Sequence, residues 1–203
     1  MIHNKARVGG DARAAGKVKL KSKATVEGEI ESHAPIPPVT QVSASVNTCG
    51  SDVIVDKGDA LSLGPGCSRL LIVEEDATLT LTAGHYAFER IEIKMNATLQ
   101  FALPGDDYVV IDVADTIDLQ EGVVMTAQPG GAAGILFRVA GGDVKLGKEG
   151  TFLGTFIAPD AHIDQLEGAF LTGALYGGKV QIKKDAAIVS EPALDPFIDL
   201  YLR

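Results

Sequence analysis

Cys49 lies four residues before the segment Val53-Ile54-Val55, and Cys67 lies four before the matching segment Leu71-Ile72-Val73. The chain's only two cysteines thus hold equivalent places in consecutive repeats. Neighbouring strands of a sheet run about 4.8 Å apart, inside the roughly 4.4 to 6.8 Å Cα separation that a disulfide tolerates. The pair suits a disulfide staple or, failing that, two buried thiols. A bond would contribute on the order of 3 kcal/mol and would place the chain in an oxidising, extracellular or cell-surface setting. Unbonded cysteines would suit the cytoplasm.

Other groupings with reactive potential are sparse. Asp106-Asp107 has the composition of an acid and base pair for glycoside cleavage, but it follows Pro104-Gly105, and Pro-Gly-Asp-Asp is turn chemistry. The four histidines, His3, His33, His85 and His162, share no metal-ligand spacing. The chain has no phosphate-binding loop, dinucleotide fingerprint, Gly-x-Ser-x-Gly segment or calcium-binding nonapeptide. Asn96-Ala97-Thr98 matches a glycosylation sequon, a short motif of low specificity. These readings predict a protein that is not an enzyme and uses no cofactor or metal.

All of these residues hang on one recurring cassette. An apolar residue, any residue and an apolar residue are followed by three mostly polar ones, a small residue, any residue and another apolar one. Copies begin at Val18, Val53, Leu71, Ile91, Ile117, Val144, Ile163 and Val180, spaced 35, 18, 20, 26, 27, 19 and 17 residues apart. Gln165 alone breaks the apolar pattern. Alternation with a period of two means strands, and self-similarity at this spacing means a solenoid. A helical solenoid is excluded by the period, and no Asn or Cys ladder supports a leucine-rich one. The expected fold is all-β, a single-domain parallel β-helix of about eight or more coils, right-handed as strand crossovers usually are.

Composition agrees. With 46% hydrophobic residues, 5% aromatics, no Trp and 23 glycines, the chain builds its core from small branched side chains and turns its corners on glycine. No apolar run is long enough to span a membrane. The first residues lack the apolar core of a signal peptide, which leaves a cytosolic or a processed chain open. Residues 1–33 form a basic first coil and 34–48 a proline-rich excursion around Pro35, Pro37 and Pro38; 49–190 form the main helix and 191–203 an apolar cap or inter-subunit segment.

Charge is uneven, since residues 1–23 carry +6 within a formal net of −9. No aromatic residues are interleaved with the basic end to stack bases, so nucleic-acid binding is not expected. A basic first coil facing the acidic last segment of another subunit instead suggests head-to-tail assembly through exposed strand edges. The joint so drawn places Val18, Lys19, Leu20, Lys21 and Val26 at one end and Val180, Ile182 and Ile188 at the other, with Phe197 and Leu200 in the donated tail.

A second use of such a fold is a flat array of like side chains. The outward position before the last apolar residue of each cassette reads Thr25, Ala60, Thr78, Thr98, Val124, Thr151, Phe170, Ala187, with Thr80 and Thr82 continuing the Thr78 strand. This row of threonines, interrupted at Val124 and Phe170, is the sequence argument for an ice-binding surface.

The run Phe152-Leu153-Gly154-Thr155-Phe156-Ile157-Ala158-Pro159 and the run Gly173-Ala174-Leu175-Tyr176-Gly177-Gly178-Lys179-Val180 resemble the β-solenoid domain of poorly characterised, predicted secreted bacterial surface proteins. More distantly, the coils are similar to bactofilins, which polymerise end to end without a nucleotide. The resemblance implies a non-enzymatic structural protein and supplies no catalytic residues. The sequence reading is therefore a subunit of an extracellular or cell-surface filament, a homo-oligomer or head-to-tail polymer. Its alternatives are a monomeric β-helix that binds carbohydrate, including surface glycans, or one that binds ice.

Overall fold

The computed structural model describes residues 1–10, 12–14, 17–33, 50–105, 107–129 and 131–191. Cys49, Asp106, the 34–48 excursion and the tail bearing Phe197 and Leu200 lie outside the described residues. The chain is a parallel β-solenoid. Its strands are β1 (Arg7–Val8), β2 (Ala12–Ala14), β3 (Thr25–Val26), β4 (Ile30–Ser32), β5 (Val53–Val55), β6 (Ala60–Leu63), β7 (Gly66–Val73), β8 (Thr78–Thr82) and β9 (Gly84–Ile93). They continue as β10 (Thr98–Ala102), β11 (Val109–Val113), β12 (Ile117–Leu119), β13 (Val124–Gln128), β14 (Ile135–Val139), β15 (Val144–Leu146), β16 (Thr151–Gln165), β17 (Phe170–Ile182) and β18 (Ala187–Val189). Sixteen of these strands form one sheet, and β2 and β4 form a second.

The cassette explains the coil. Its first two apolar residues face inward on one face of the solenoid, here face A, in the register Val53, Leu71, Ile91, Ile117, Val144, Ile163, Val180. Its last apolar residue faces inward on face B, in the register Leu61, Leu79, Leu99, Met125. Between them the chain turns a corner through a left-handed residue, held by Asp76, Asn96, Glu149 and Asp185 and by Gly58, Gly122 and Gly168. Only glycine takes that conformation without strain, and Asn and Asp tolerate it best among the rest. The small residue after the corner, such as Ala77, Ala97 or Ala169, is fully buried, which is why the cassette demands it small. A third face, C, is built from the starts of β7 and β9, from β11 and β14, and from the middles of β16 and β17. The large core residues gather there and on face B, with Phe137 stacked at 4.4 Å on Phe156 and edge-on to Phe101 at 6.4 Å.

The amino-terminal coil is not where sequence order puts it. Ile2 bridges Ile182 on one side and Leu20 on the other, and β1 sits between β18 and β3. Ile2, β1, Leu20 and β3 thus extend the stack beyond its last carboxy-terminal coil, while β5 and β6 form the opposite end among the described residues. This corrects the assembly joint. Val18, Leu20 and Val26 belong to the same end as Val180, Ile182 and Ile188, and Ile182 and Ile188 are already covered by Ile2 and Val8. A linear repeat count misses this because the period reports which residues face inward, not the order in which coils stack.

Gln165, the one polar exception in the cassettes, points inward between Leu146 and Ile182 and is fully buried. Its Nε2 donates to the carbonyls of Ala169 and Ala187, both at 2.9 Å, tying two successive coils together. Its Oε1 has no partner. The Ala169 carbonyl also accepts from Ala187 N–H. An unsatisfied buried acceptor costs about 1–3 kcal/mol. Gln165→Leu is therefore expected to stabilise the protein by about 1 kcal/mol, read as a higher urea midpoint; a midpoint lowered by the substitution would show that the two carbonyl contacts outweigh the orphan oxygen.

Candidate binding face

The three faces differ in what they present to solvent. Outward on face A the register runs Ile54, Ile72, Glu92, Asp118, Lys145, Asp164, Gln181. Opposite charges pair along it: Lys145 Nζ lies 2.9 Å from Asp118, Lys94 pairs with Glu92, and Lys183 lies 3.6 Å from Asp164. From Glu92 to Asp164 this is a charged ladder.

Face C is partly closed. Val110, Leu136 and Thr155 alternate with inward residues and so face out of the coil, yet each is at most 3% exposed. In the same layer Asp112 and Arg138 lie opposite one another on β11 and β14. Arg138 clasps the carboxylate with two bonds, Nε to Oδ1 at 2.6 Å and an Nη to Oδ2 at 2.7 Å. His85 Nε2 meets Oδ2 at 2.6 Å from the exposed side. This arrangement is a nearly buried ion pair with a histidine over it.

Face B alone is open, regular and uncharged. Its first outward row reads Ala60, Thr78, Thr98, Val124, Thr151, Phe170, Ala187 in unshifted register. Beside it runs a second row, Ser62, Thr80, Gln100, Thr126 on β6, β8, β10 and β13, resumed by Leu153, Thr172 and Val189 on β16, β17 and β18. Thr82, Ala102 and Gln128 begin a third. From β6 to β18 no outward residue on this face is ionisable. Charge returns only in the terminal coils, where Arg7 follows Ala187 and pairs with Glu27 at 2.8 Å. Rows are set about 4.8 Å apart between strands and about 6.7 Å apart along a strand.

The first row is the one found in the sequence, with Thr25 displaced to the far end of the stack beyond Arg7. The second row was legible only as Thr80, and the third only as Thr82, because the cassette ends before those positions. Among the described residues, no His, Cys, Asp and Glu gather into a group that would hold a metal ion, and no helix is long and apolar enough to cross a membrane. Of the paired carboxylates, Asp107 is exposed in the loop before β11.

Comparison with solved structures returns proteins of the same fold. The chain is similar to an ice-binding protein of the Antarctic ascomycete Antarctomyces psychrotrophicus, at 17% identity and TM-score 0.63, over 92% of this chain and 87% of that one. It is similar, too, to an ice-binding protein with antifreeze activity from an Arctic yeast, at 19% identity and TM-score 0.56, over 94% and 90%. No family model matches the chain, and no curated protein matches it by sequence. The likeness bears out the β-solenoid and lends nothing to the surface-protein or bactofilin parts of the sequence resemblance. It also overturns the filament reading, whose joint the stacking order has already removed.

Proposed function

We propose that the protein is a non-enzymatic, extracellular ice-binding protein that adsorbs to ice through face B. The observation that carries this reading is the uncharged array of Thr78, Thr80, Thr98, Thr126 and Thr151 held in register on rigid parallel strands. Each threonine offers a methyl group, around which water orders, and a hydroxyl that can bond to that water. A charged side chain would instead orient its own hydration shell. Because the strands are fixed by the coil, the array is ordered before binding, and little conformational entropy is lost on contact. Faces A and C carry ion pairs or are covered, so neither offers a comparable plane. The likeness to ice-binding folds supports the same choice. Thermal hysteresis and faceted growth of a single ice crystal in micromolar protein are the expected results; freezing with no gap between melting and growth temperatures would overturn the reading.

The extracellular setting rests in part on the cysteines. Cys67 is not a free thiol. Cys49 and Cys67 are 18 residues apart in sequence, the same separation as the paired residues Val53 and Leu71. A Cys49–Cys67 disulfide is accordingly proposed. The intact mass of the non-reduced protein is expected to lie two hydrogens below the reduced mass, with no thiol reacting in denaturant; two titratable thiols would exclude the bond.

A further inference from the structure

The corner between faces A and B changes character along the stack. Its left-handed position is held by Asp76, Asn96, Gly122, Glu149, Gly168 and Asp185, and then, in the two amino-terminal coils, by Lys5 and Lys23 at φ 60° and 63°. A lysine gains nothing local there. Its Cβ meets the steric penalty that glycine escapes, and it lacks the short polar side chain by which Asn and Asp offset that penalty. A local rule broken in two adjacent coils points to a demand other than folding.

Face A turns basic in the same coils. Ile2 bridges Ile182 and Leu20, so the residues that follow these three, His3, Lys183 and Lys21, form an outward row about 4.8 Å from strand to strand. Lys19 stands about 6.7 Å from Lys21 along its strand. Lys5, Lys19, Lys21 and Lys23 are exposed and make no ion pair among the described residues. Asp164, 3.6 Å from Lys183, is the carboxylate that reaches this row. His3 is held below the ordinary imidazole value by desolvation and then by the charges of Lys183 and Lys21, so the field here is positive on a chain whose formal net charge is −9. We propose that this lysine edge binds an extended acidic polysaccharide, one bearing a carboxylate on each sugar unit, laid along the strand from Lys19 to Lys23. A straight strand presents its charges in line, and a stiff extended polymer can meet them in succession. Lysine, a point charge without arginine's fork, suits single carboxylates better than phosphates gripped by two bonds. Neither an outward aromatic ring to stack bases nor an outward apolar side chain to enter a bilayer stands among these lysines.

Affinity electrophoresis of the full chain through polygalacturonate tests the proposal, with neutral dextran, duplex DNA and phosphatidylserine vesicles as comparators. Retardation by polygalacturonate and not by dextran is expected, and it should weaken steeply as salt is added. The triple variant Lys19→Ala/Lys21→Ala/Lys23→Ala should bind about tenfold more weakly or worse. The variant Lys57→Ala/Lys145→Ala/Lys148→Ala, which removes the same charge from other coils, should bind as the parent does. Absence of polygalacturonate binding at low salt, or equal loss in the two triple variants, would overturn the site. Tighter binding of DNA or of the vesicles than of polygalacturonate would overturn the partner class. The polymer contrast is read on the unaltered protein, so it holds even if a variant misfolds. The edge lies around the corner from face B, and Thr98→Lys should bind polygalacturonate normally, which separates this result from the ice-binding reading.

Discussion

Replacing Thr98 by lysine is expected to remove most of the thermal hysteresis while leaving the fold intact. Thr98 lies inside the first row, with Thr78 on one side, Val124 on the other and Gln100 two residues along the same strand. Its side chain is half-buried by these neighbours but faces away from the core. A lysine there can extend into solvent, so stability should change by no more than about 0.5 kcal/mol. It would, however, plant a hydrated charge in the middle of an otherwise uncharged plane and lift an ice surface off the threonines around it. Thr126→Lys, one strand on in the second row, should behave alike. Lys145→Ala on face A should remove a charge from the Asp118 ladder without touching ice activity, since exposed ion pairs of this kind contribute about 0–1 kcal/mol. Circular dichroism melts beside nanolitre osmometry check both halves of this expectation. Loss of hysteresis in the face A variant, with Thr98→Lys unaffected, would reassign the binding plane.

The largest stability effect is expected at the other polar cluster. Arg138→Met leaves the Asp112 carboxylate, only 6% exposed, without the two bonds that neutralise it. Breaking one partner of a buried pair costs about 3–5 kcal/mol, which for a chain of this size lowers the melting temperature by roughly 10 °C. His85 cannot replace the arginine, because it approaches a single oxygen from the solvent side. The double variant Asp112→Leu/Arg138→Met should recover most of the loss, since the cost lies in the orphaned charge and not in the absence of the pair. Chemical denaturation of the two variants decides this. A single variant as stable as the parent would mean that water reaches Asp112 freely.

The sequence was most informative about what faces inward. Alternation and the small residue after each corner follow from steric demands that repeat in every coil, so Val53, Leu71 and Ile91, or Ala77 and Ala97, announced their places. Gln165 stood out for the same reason, and its two carbonyl partners explain why a coil tolerates it. The stacking order was not legible. Val18 and Val180 satisfy the same pattern wherever their coils lie, and only the pairing of Ile2 with Ile182 shows that the chain's beginning continues its late coils. The binding face was half legible. The row through Thr78 and Thr98 lay inside the cassette, whereas Thr126 and Thr172 lay outside it. The exclusion of the other two faces depended on contacts such as Arg138 with Asp112 that no local pattern encodes. Val124 and Phe170, which look like interruptions of a threonine row, keep the face uncharged, and that property is continuous from β6 to β18.

The most direct test of face B as the ice-binding plane is partition into growing ice. Protein labelled at its amino terminus, its Thr98→Lys/Thr126→Lys variant and its Lys145→Ala variant would be frozen slowly from dilute solution onto a cold finger, and the label counted in ice and in liquid. Incorporation of the parent and of the face A variant, with exclusion of the face B variant, is the predicted result. Exclusion of the parent chain, or incorporation of all three alike, would contradict it.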